Sequence, residues 1–139
     1  MRNLGILGTI SFLLATGVLW TGVFSTFAMD FPKVKPEDLK RMIESHDKSF
    51  LLVDVQPKGV YDLGHIQGAV NFPWAKEIKG PVKLPLDKTL ILYCDCGHEE
   101  DSIDLATQLM ENWDYLDVKV LEGGWSRWKK LGYPIEKGE

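Results

Sequence analysis

Four short apolar runs stand out along the chain from residue 31 onward. Three of them, at 50–55, 90–93 and 118–121, are nearly continuous and rich in Leu, Ile and Val. Runs of this length and composition are typical of strands that are buried on both faces of a parallel sheet. A shorter run at 68–71 is consistent with a fourth strand. The pattern therefore predicts a sheet whose strands are mainly parallel.

Two segments between these runs have the spacing of helices. Over 102–112, apolar residues recur three and four positions apart, and acidic residues precede the segment, as is common at a helix N-terminus. Pro36, followed by two acidic residues and then by spaced apolar positions, marks the start of an earlier helix. Strands that alternate with helices predict an α/β domain, with a central, mainly parallel sheet flanked by helices on both faces. In such sheets, ligands bind at the carboxyl ends of the strands.

The first 29 residues differ from the rest of the chain because only one of them, Arg2, is charged. An apolar run follows Arg2 and ends in small residues at Ala28, which is the order of a signal peptide. The run is also long enough to span a bilayer as an uncleaved anchor. Residues 1–28 are therefore predicted to be a signal peptide or an N-terminal membrane anchor. Either one places the rest of the chain outside the cytoplasm, in contact with a membrane only through this segment.

Composition narrows the class of protein further. The chain has 139 residues, of which 45% are hydrophobic and 26% charged, as expected for one globular domain. Two cysteines are too few for a disulfide scaffold, although two cysteines outside the cytoplasm can oxidise. The net charge is −4 and the lysines and arginines form no block, so we expect no nucleic-acid partner.

The candidate for chemistry is Cys94, which directly follows the apolar run at 90–93. A loop and the predicted helix at 102–112 come next, so loop amides and the positive end of that helix would surround the cysteine. Such surroundings lower the pKa of a thiol, and the thiolate is the reactive form. The position therefore favours Cys94 as a nucleophile over a cysteine that only fills space in the core.

Three ordered motifs resemble those of rhodanese-like domains. The first comprises LVDV at 52–55 and GHIQGAVNFP at 64–73, and the second is the strand and cysteine ILYC at 91–94. The third consists of GGWSRW and then GYP within 123–134. The similarity extends over almost all of the chain after the N-terminal segment, and it implies a single rhodanese-like domain over residues 34–137.

The resemblance implies a sulfurtransferase. In this family the loop cysteine takes a sulfane sulfur from a donor, holds it as a persulfide and passes it to a second nucleophile. It implies Cys94 as the nucleophile, with thiosulfate, a polysulfide or a persulfide as donor and a small-molecule or protein thiol as acceptor. It implies neither a metal nor an organic cofactor. The persulfide would be stabilised by loop amides, namely those of Asp95, Cys96, Gly97, His98, Glu99 and Glu100.

The loop departs from the commonest pattern of the family. Glu99 stands where many members have an arginine, and Gln56 replaces the arginine that often follows the strand aspartate. The acidic side chains of the loop would raise the pKa of a thiol and repel a dianion, which disfavours thiosulfate as the donor. Glu99 could instead hydrogen-bond loop amides or act as an acid or base near the acceptor. Asp54, at the end of the first long strand, could orient the loop amides.

A second cysteine, Cys96, lies two residues after Cys94 and leaves several alternatives open. It could form a disulfide with Cys94, resolve a persulfide on Cys94, or only pack. Cys94 is favoured as the nucleophile because it lies at the strand end. Two other functions also stay open for the chain: a catalytically inactive rhodanese-like binding module, and a periplasmic dithiol redox protein that uses both cysteines.

Three tryptophans complete these expectations. Trp125 and Trp128 are three residues apart, which places them on one face of a helix and predicts that they pack in the core. Trp74, just after Pro73, is expected to line the mouth of the site.

Overall fold

The apolar runs form the strands of a parallel sheet in the computed structural model, which describes residues 31–138. The elements follow one another in this order: β1 (Lys33–Val34), α1 (Pro36–Glu44), β2 (Phe50–Asp54), α2 (Lys58–Leu63), β3 (His65–Ile66), β4 (Val70–Asn71), β5 (Thr89–Tyr93), α3 (Glu100–Asn112), β6 (Val118–Leu121), α4 (Gly124–Lys130) and β7 (Ile135–Glu136). The predicted signal peptide or anchor at 1–28 lies outside the described residues. Within 31–138, no helix is long and apolar enough to cross a membrane.

Five strands pair in the order β1-β6-β5-β2-β4, and every pairing is parallel. The central strand is β5. It is in register with β2 over its whole length, from Thr89 opposite Phe50 to Tyr93 opposite Asp54. The carboxyl ends of these two strands therefore meet at one edge of the sheet, where the sequence predicts the site. All three long apolar runs are confirmed as strands.

The fourth predicted strand is shorter than expected. Gly68 has φ +79°, and the N–H of Ala69 turns back to donate to the carbonyl oxygen of Ile66 at 3.0 Å, so the extended segment begins only at Val70. A separate antiparallel ribbon of β3 and β7 was not predicted. Strands of two residues are too short to show an alternating pattern of apolar and polar positions.

Alternate residues of the central strands face opposite sides of the sheet, and each side carries its own core. Leu90 and Leu92 of β5 pack with Leu105 and Leu109 of α3 on one face. On the other face, the core contains these residues of β5, α1 and α4: Ile91, Tyr93, Leu39, Trp125 and Trp128. Helices thus cover both faces of the sheet, as predicted, and both tryptophans of α4 are buried.

Candidate active site

Cys94 lies at the carboxyl end of the central strand, immediately after Tyr93. The residue is only 2% exposed and packs in the core on the α3 side of the sheet, among Val53, Leu92 and Ala106. α3 begins at Glu100, two residues earlier than predicted. The loop between Cys94 and this helix is therefore short, and the start of the helix lies close in sequence to the cysteine.

The two cysteines of the loop form a disulfide bond. Their Cα atoms are 5.5 Å apart, and the backbone N–H of Cys96 donates to Sγ of Cys94 at 3.4 Å. Cys96 is partly exposed and packs against the same core as Cys94. One of the alternatives left open by the sequence is thus present in the structure. A Cys94 thiolate exists only after this bond is reduced, and the Cys96 amide then lies beside the sulfur that would carry the charge.

The start of α4 packs directly against the backbone of Cys94. The N–H of Trp125 donates to the carbonyl oxygen of Cys94 at 2.9 Å. A Cβ atom added to Gly124, which has φ +50°, would lie 2.2 Å from that oxygen. Only glycine allows this approach, so the GG pair in the third motif fixes the distance between α4 and the cysteine loop. This role of Gly124 is not visible in the sequence pattern, although the third motif contains the residue.

Asp95 ties the exposed side of the loop to α4. Its carboxylate accepts a hydrogen bond from the hydroxyl of Ser126 and lies 4.0 Å from Nζ of Lys129. The negative charge of Asp95 is therefore held against a hydroxyl and an ammonium group of α4. Lys129 also lies over the ring of Trp125, with Nζ 5.0 Å from the ring centroid.

The backbone at the end of the loop binds the carboxylate of the first residue of α3. The backbone N–H of His98 donates to the carboxylate of Glu100 at 3.1 Å. Backbone N–H groups, that of Glu100 itself first and then that of His98, hold the pKa of Glu100 below its ordinary value. Of the six amides predicted to cradle a persulfide, that of Cys96 is directed at Sγ of Cys94, whereas that of His98 is occupied by a carboxylate.

Glu99 is buried and reaches away from the loop. Its backbone has φ +57°, in the left-handed region, and one carboxylate oxygen accepts the N–H of Gly123 at 2.7 Å. The other oxygen accepts a hydrogen bond from Nζ of Lys33 at 3.1 Å. Both oxygens therefore bind the loop to β1 and to the turn before α4. Glu99 does bond a backbone amide, but one in a different loop from the amides that the sequence suggested. An acid or base role for it stays a prediction.

The variant Glu99→Gln tests this anchoring role. The amide oxygen of glutamine still accepts the N–H of Gly123, but the attraction to Lys33 is lost. We expect the free energy of unfolding to fall by about 1 to 2 kcal/mol, measured by urea denaturation.

The exposed Glu77 gives the matched control, Glu77→Gln, for which we expect almost no change in stability. An unchanged stability of Glu99→Gln together with a large loss of sulfur transfer would contradict anchoring and support acid or base chemistry.

Asp54 orients the turn at Gln56, whereas the sequence suggested that it orients the amides of the cysteine loop. Its carboxylate accepts the backbone N–H of Gln56 at 2.8 Å and the side-chain Nε2 of Gln56 at 3.2 Å. Burial raises the pKa of Asp54, and hydrogen bonds from Tyr93 and Gln56 oppose this shift in part. Gln56, which replaces an arginine of the common pattern, thus donates to a buried carboxylate. The predicted bonds from Asp54 to amides of the cysteine loop are not among its hydrogen bonds within the described residues.

The raised pKa of Asp54 makes stability depend on pH in a definite direction. The folded state holds the Asp54 proton more tightly than the unfolded state does. The contribution of this group to stability is therefore fully present below the ordinary aspartate pKa of about 3.9 and is lost as the pH rises through the raised value. We expect wild type to gain stability relative to Asp54→Asn, which cannot titrate, as the pH is lowered from neutral.

Urea denaturation of both proteins at several pH values measures this difference. The exposed Asp87→Asn controls for the loss of one carboxyl group. A wild type that loses stability relative to Asp54→Asn as the pH is lowered from neutral would contradict the assignment.

Trp74 lies at the same edge of the sheet as the cysteine loop. Its N–H donates to the carbonyl oxygen of Val55 at 2.8 Å, and the N–H of Val55 donates to that of Tyr93 at 3.0 Å. The indole Nε1–H donates to the carboxylate of Asp104 on α3 at 2.7 Å, and 41% of the tryptophan is exposed. Trp74 is thus fixed against α3, and its place at the mouth of the site stays a prediction.

One groove lies away from the cysteine loop. It has a volume of about 650 Å³, and Phe50 and Lys88 line it near the amino ends of β2 and β5. No residue of the cysteine loop lines this groove. Within 31–138, no cluster of three or more His, Cys, Asp or Glu side chains could hold a metal ion.

The fold and the site define an α/β protein with a parallel sheet, in which a buried cysteine follows the carboxyl end of the central strand. The family model described as Rhodanese-like domain matches residues 35–131 of this chain. The chain belongs to the rhodanese-like domain family.

Three known proteins illustrate the similarity. Thiosulfate:glutathione sulfurtransferase of Saccharomyces cerevisiae is 26% identical over 109 residues, which cover 69% of this chain and 76% of that protein. The sulfur carrier protein TtuD of Thermus thermophilus is 29% identical over 102 residues, covering 62% of this chain and 35% of that protein. The solution structure of the rhodanese-like domain of Alr3790 from Anabaena has a TM-score of 0.61 at 27% identity, covering 76% of this chain and 79% of that one.

Sulfur carriers and sulfurtransferases are therefore among the relatives of this chain. The chain spans only 20 to 38% of the length of the first curated relatives that it matches. The similarity to those proteins thus covers only part of each of them.

Proposed function

We propose that this chain is a sulfurtransferase that moves a sulfane sulfur from a small donor to a thiol-type acceptor through a persulfide on Cys94. The observation that carries the proposal is the position of Cys94, at the carboxyl end of the central strand with the Cys96 amide 3.4 Å from its sulfur. Relatives named as a thiosulfate:glutathione sulfurtransferase and a sulfur carrier protein support it.

The proposed reaction has two displacements. The Cys94 thiolate attacks the outer sulfur of the donor and a new S–S bond forms. The donor's own bond to that sulfur breaks, and the remainder leaves with the electron pair, as sulfite when the donor is thiosulfate. An acceptor thiolate then attacks the outer sulfur, and Cys94 leaves as a thiolate. Each step is easier than direct transfer because the enzyme supplies a positioned nucleophile and leaving group.

The loop supplies the stabilisation of negative charge that this chemistry needs. The Cys96 N–H donates to Sγ of Cys94, and a fixed dipole of this kind stabilises a thiolate or persulfide at that position. The carboxylates of Asp95 and Glu99 are held by groups of α4, β1 and the turn before α4. The negative charges that would repel an anionic donor are therefore partly balanced by Lys33 and Lys129. A persulfide, whose outer sulfur carries a single negative charge, remains better suited as a donor than the thiosulfate dianion.

We also propose that the domain works outside the cytoplasm, released or tethered by the N-terminal segment. The uncharged run over 3–29 supports export. The disulfide between Cys94 and Cys96 is compatible with an oxidising compartment. A thiol reductant is then required before the first displacement.

A dithiol redox function is the second candidate, because the same disulfide favours it. The two candidates differ in whether the protein accepts sulfur. The test is donor consumption by the reduced protein with glutathione as acceptor and thiosulfate or inorganic polysulfide as donor. Catalysed consumption of either donor supports sulfur transfer. Rapid reduction of the disulfide with no donor consumption, in a protein that stays folded, would contradict sulfur transfer and favour the redox function.

A further inference from the structure

The structure places a second thiol against the sulfur that would carry the persulfide. Cys96 lies within bonding distance of Sγ of Cys94, since the two are joined as a disulfide. Cys94 is 2% exposed, so an external thiol must enter the loop to reach its sulfur, whereas Cys96 is already there. The proposed function assigns no role to this thiol.

We propose that Cys96 resolves the Cys94 persulfide by attacking its inner sulfur, so that the protein releases the sulfane sulfur as hydrosulfide. This inference rests on the proposed function, because it requires a persulfide on Cys94. It adds the identity of the thiol that resolves the persulfide and the chemical form in which the sulfur leaves.

The resolving step needs no reagent besides the two cysteines and the sulfur that Cys94 carries. The sulfur of Cys96 attacks Sγ of Cys94, and the Cys94–Cys96 bond forms while the bond from Cys94 to the outer sulfur breaks. The outer sulfur leaves with the electron pair and takes the proton of the Cys96 thiol, which gives hydrosulfide. That sulfur is reduced by two electrons, and the two cysteine sulfurs are oxidised together to the disulfide. The product is the bonded pair seen in the structure.

Proximity decides between Cys96 and an external thiol. A well-oriented neighbouring group reacts as if present at an effective concentration that can reach about 10⁵ M. External thiols at millimolar concentration cannot compete with a group of this kind. The loop geometry favours the ring closure, because Asp95 is held by Ser126 and the carbonyl of Cys94 by Trp125.

An external dithiol reduces the Cys94–Cys96 disulfide and so restores the two thiols. One thiolate of the reductant attacks the sulfur of Cys96, which is the more exposed of the two cysteines, and Cys94 leaves as a thiolate. The Cys96 N–H lies 3.4 Å from this leaving sulfur and stabilises its charge. The second thiol of the reductant then displaces Cys96 and becomes part of the reductant's own disulfide. Each cycle thus consumes one dithiol and releases one hydrosulfide.

A single-turnover experiment with the full chain tests the inference. The protein is reduced, freed of reductant and mixed with one equivalent of thiosulfate, and in a second arm with inorganic polysulfide, with no other thiol present. We expect close to one hydrosulfide per chain and a protein lighter than the reduced form by two hydrogens. We expect Cys96→Ser to keep one added sulfur and release no hydrosulfide. Cys94→Ser measures the hydrosulfide that comes from the donor alone.

The outcomes separate the inference from the function on which it rests. A wild-type protein that keeps the added sulfur as stably as Cys96→Ser overturns the inference and leaves the proposed function intact. Equal hydrosulfide release by wild type and Cys96→Ser, above the Cys94→Ser background, also overturns it. No sulfur on Cys96→Ser from either donor overturns the proposed function itself. Cys96→Ala repeats the comparison if the serine variant does not fold.

Discussion

Replacing Cys94 by serine lowers donor consumption to the level of the uncatalysed reaction, a fall of about 10³-fold or more. Serine has nearly the same size, but its hydroxyl is a far weaker nucleophile than a thiolate at neutral pH. Cys94 is buried, but serine fits the same space, and the hydrogen bond from the Trp125 N–H to the backbone of residue 94 does not depend on the side chain. We therefore expect the fold to survive the change. The assay follows the loss of donor with glutathione in excess.

Cys96→Ser is the matched control for this prediction. It removes the same disulfide and the same number of thiols, but it leaves the proposed nucleophile in place. We expect it still to consume one equivalent of donor per chain in a single turnover, because the first displacement needs only Cys94. A variant pair with the opposite behaviour, inactive Cys96→Ser and active Cys94→Ser, would contradict the assignment of Cys94.

Gly124→Ala lowers the free energy of unfolding by about 3 kcal/mol or more. Two effects add: the new Cβ would lie 2.2 Å from the carbonyl oxygen of Cys94, and φ of +50° is strained for any residue with a side chain. Relief of the clash requires α4 to move away from the loop, which also weakens the bond from the Trp125 N–H to the Cys94 oxygen. Thermal and urea unfolding measure the effect.

Gly132→Ala separates the clash from the backbone strain. Gly132 has φ +68°, and a Cβ there would meet nothing within 4 Å. We expect it to cost about 1 kcal/mol, from the backbone alone. Equal losses of stability in the two variants would show that the close approach of α4 to Cys94 contributes nothing, contrary to this account.

The sequence was sufficient for the features that depend on neighbouring residues. The apolar runs predicted β2, β5 and β6, and the alternation along β5 explains why α3 packs on one face and α4 on the other. The position of Cys94 after β5 follows from the run that precedes it. These features are local because strand periodicity and the strand-to-helix order are visible within a few residues.

The contacts that shape the loop could not be predicted in the same way. Glu99 binds Gly123 and Lys33, which lie 24 and 66 residues away along the chain, and only the folded sheet brings them together. Asp54 was expected to serve the cysteine loop but bonds Gln56, because its side chain shares the face of Leu52 rather than that of Cys94. Such pairings depend on tertiary packing, which a single sequence does not encode as a pattern.

The most direct test of the central claim is to locate the transferred sulfur on the chain. Reduced Cys96→Ser, which lacks the competing thiol, is incubated with polysulfide, trapped with a thiol-blocking reagent, digested and analysed by mass spectrometry. The account predicts one added sulfur in the peptide that contains Cys94 and an unmodified mass for all other peptides. A folded protein whose Cys94 peptide carries only the blocking group would contradict the claim that this cysteine holds the sulfur.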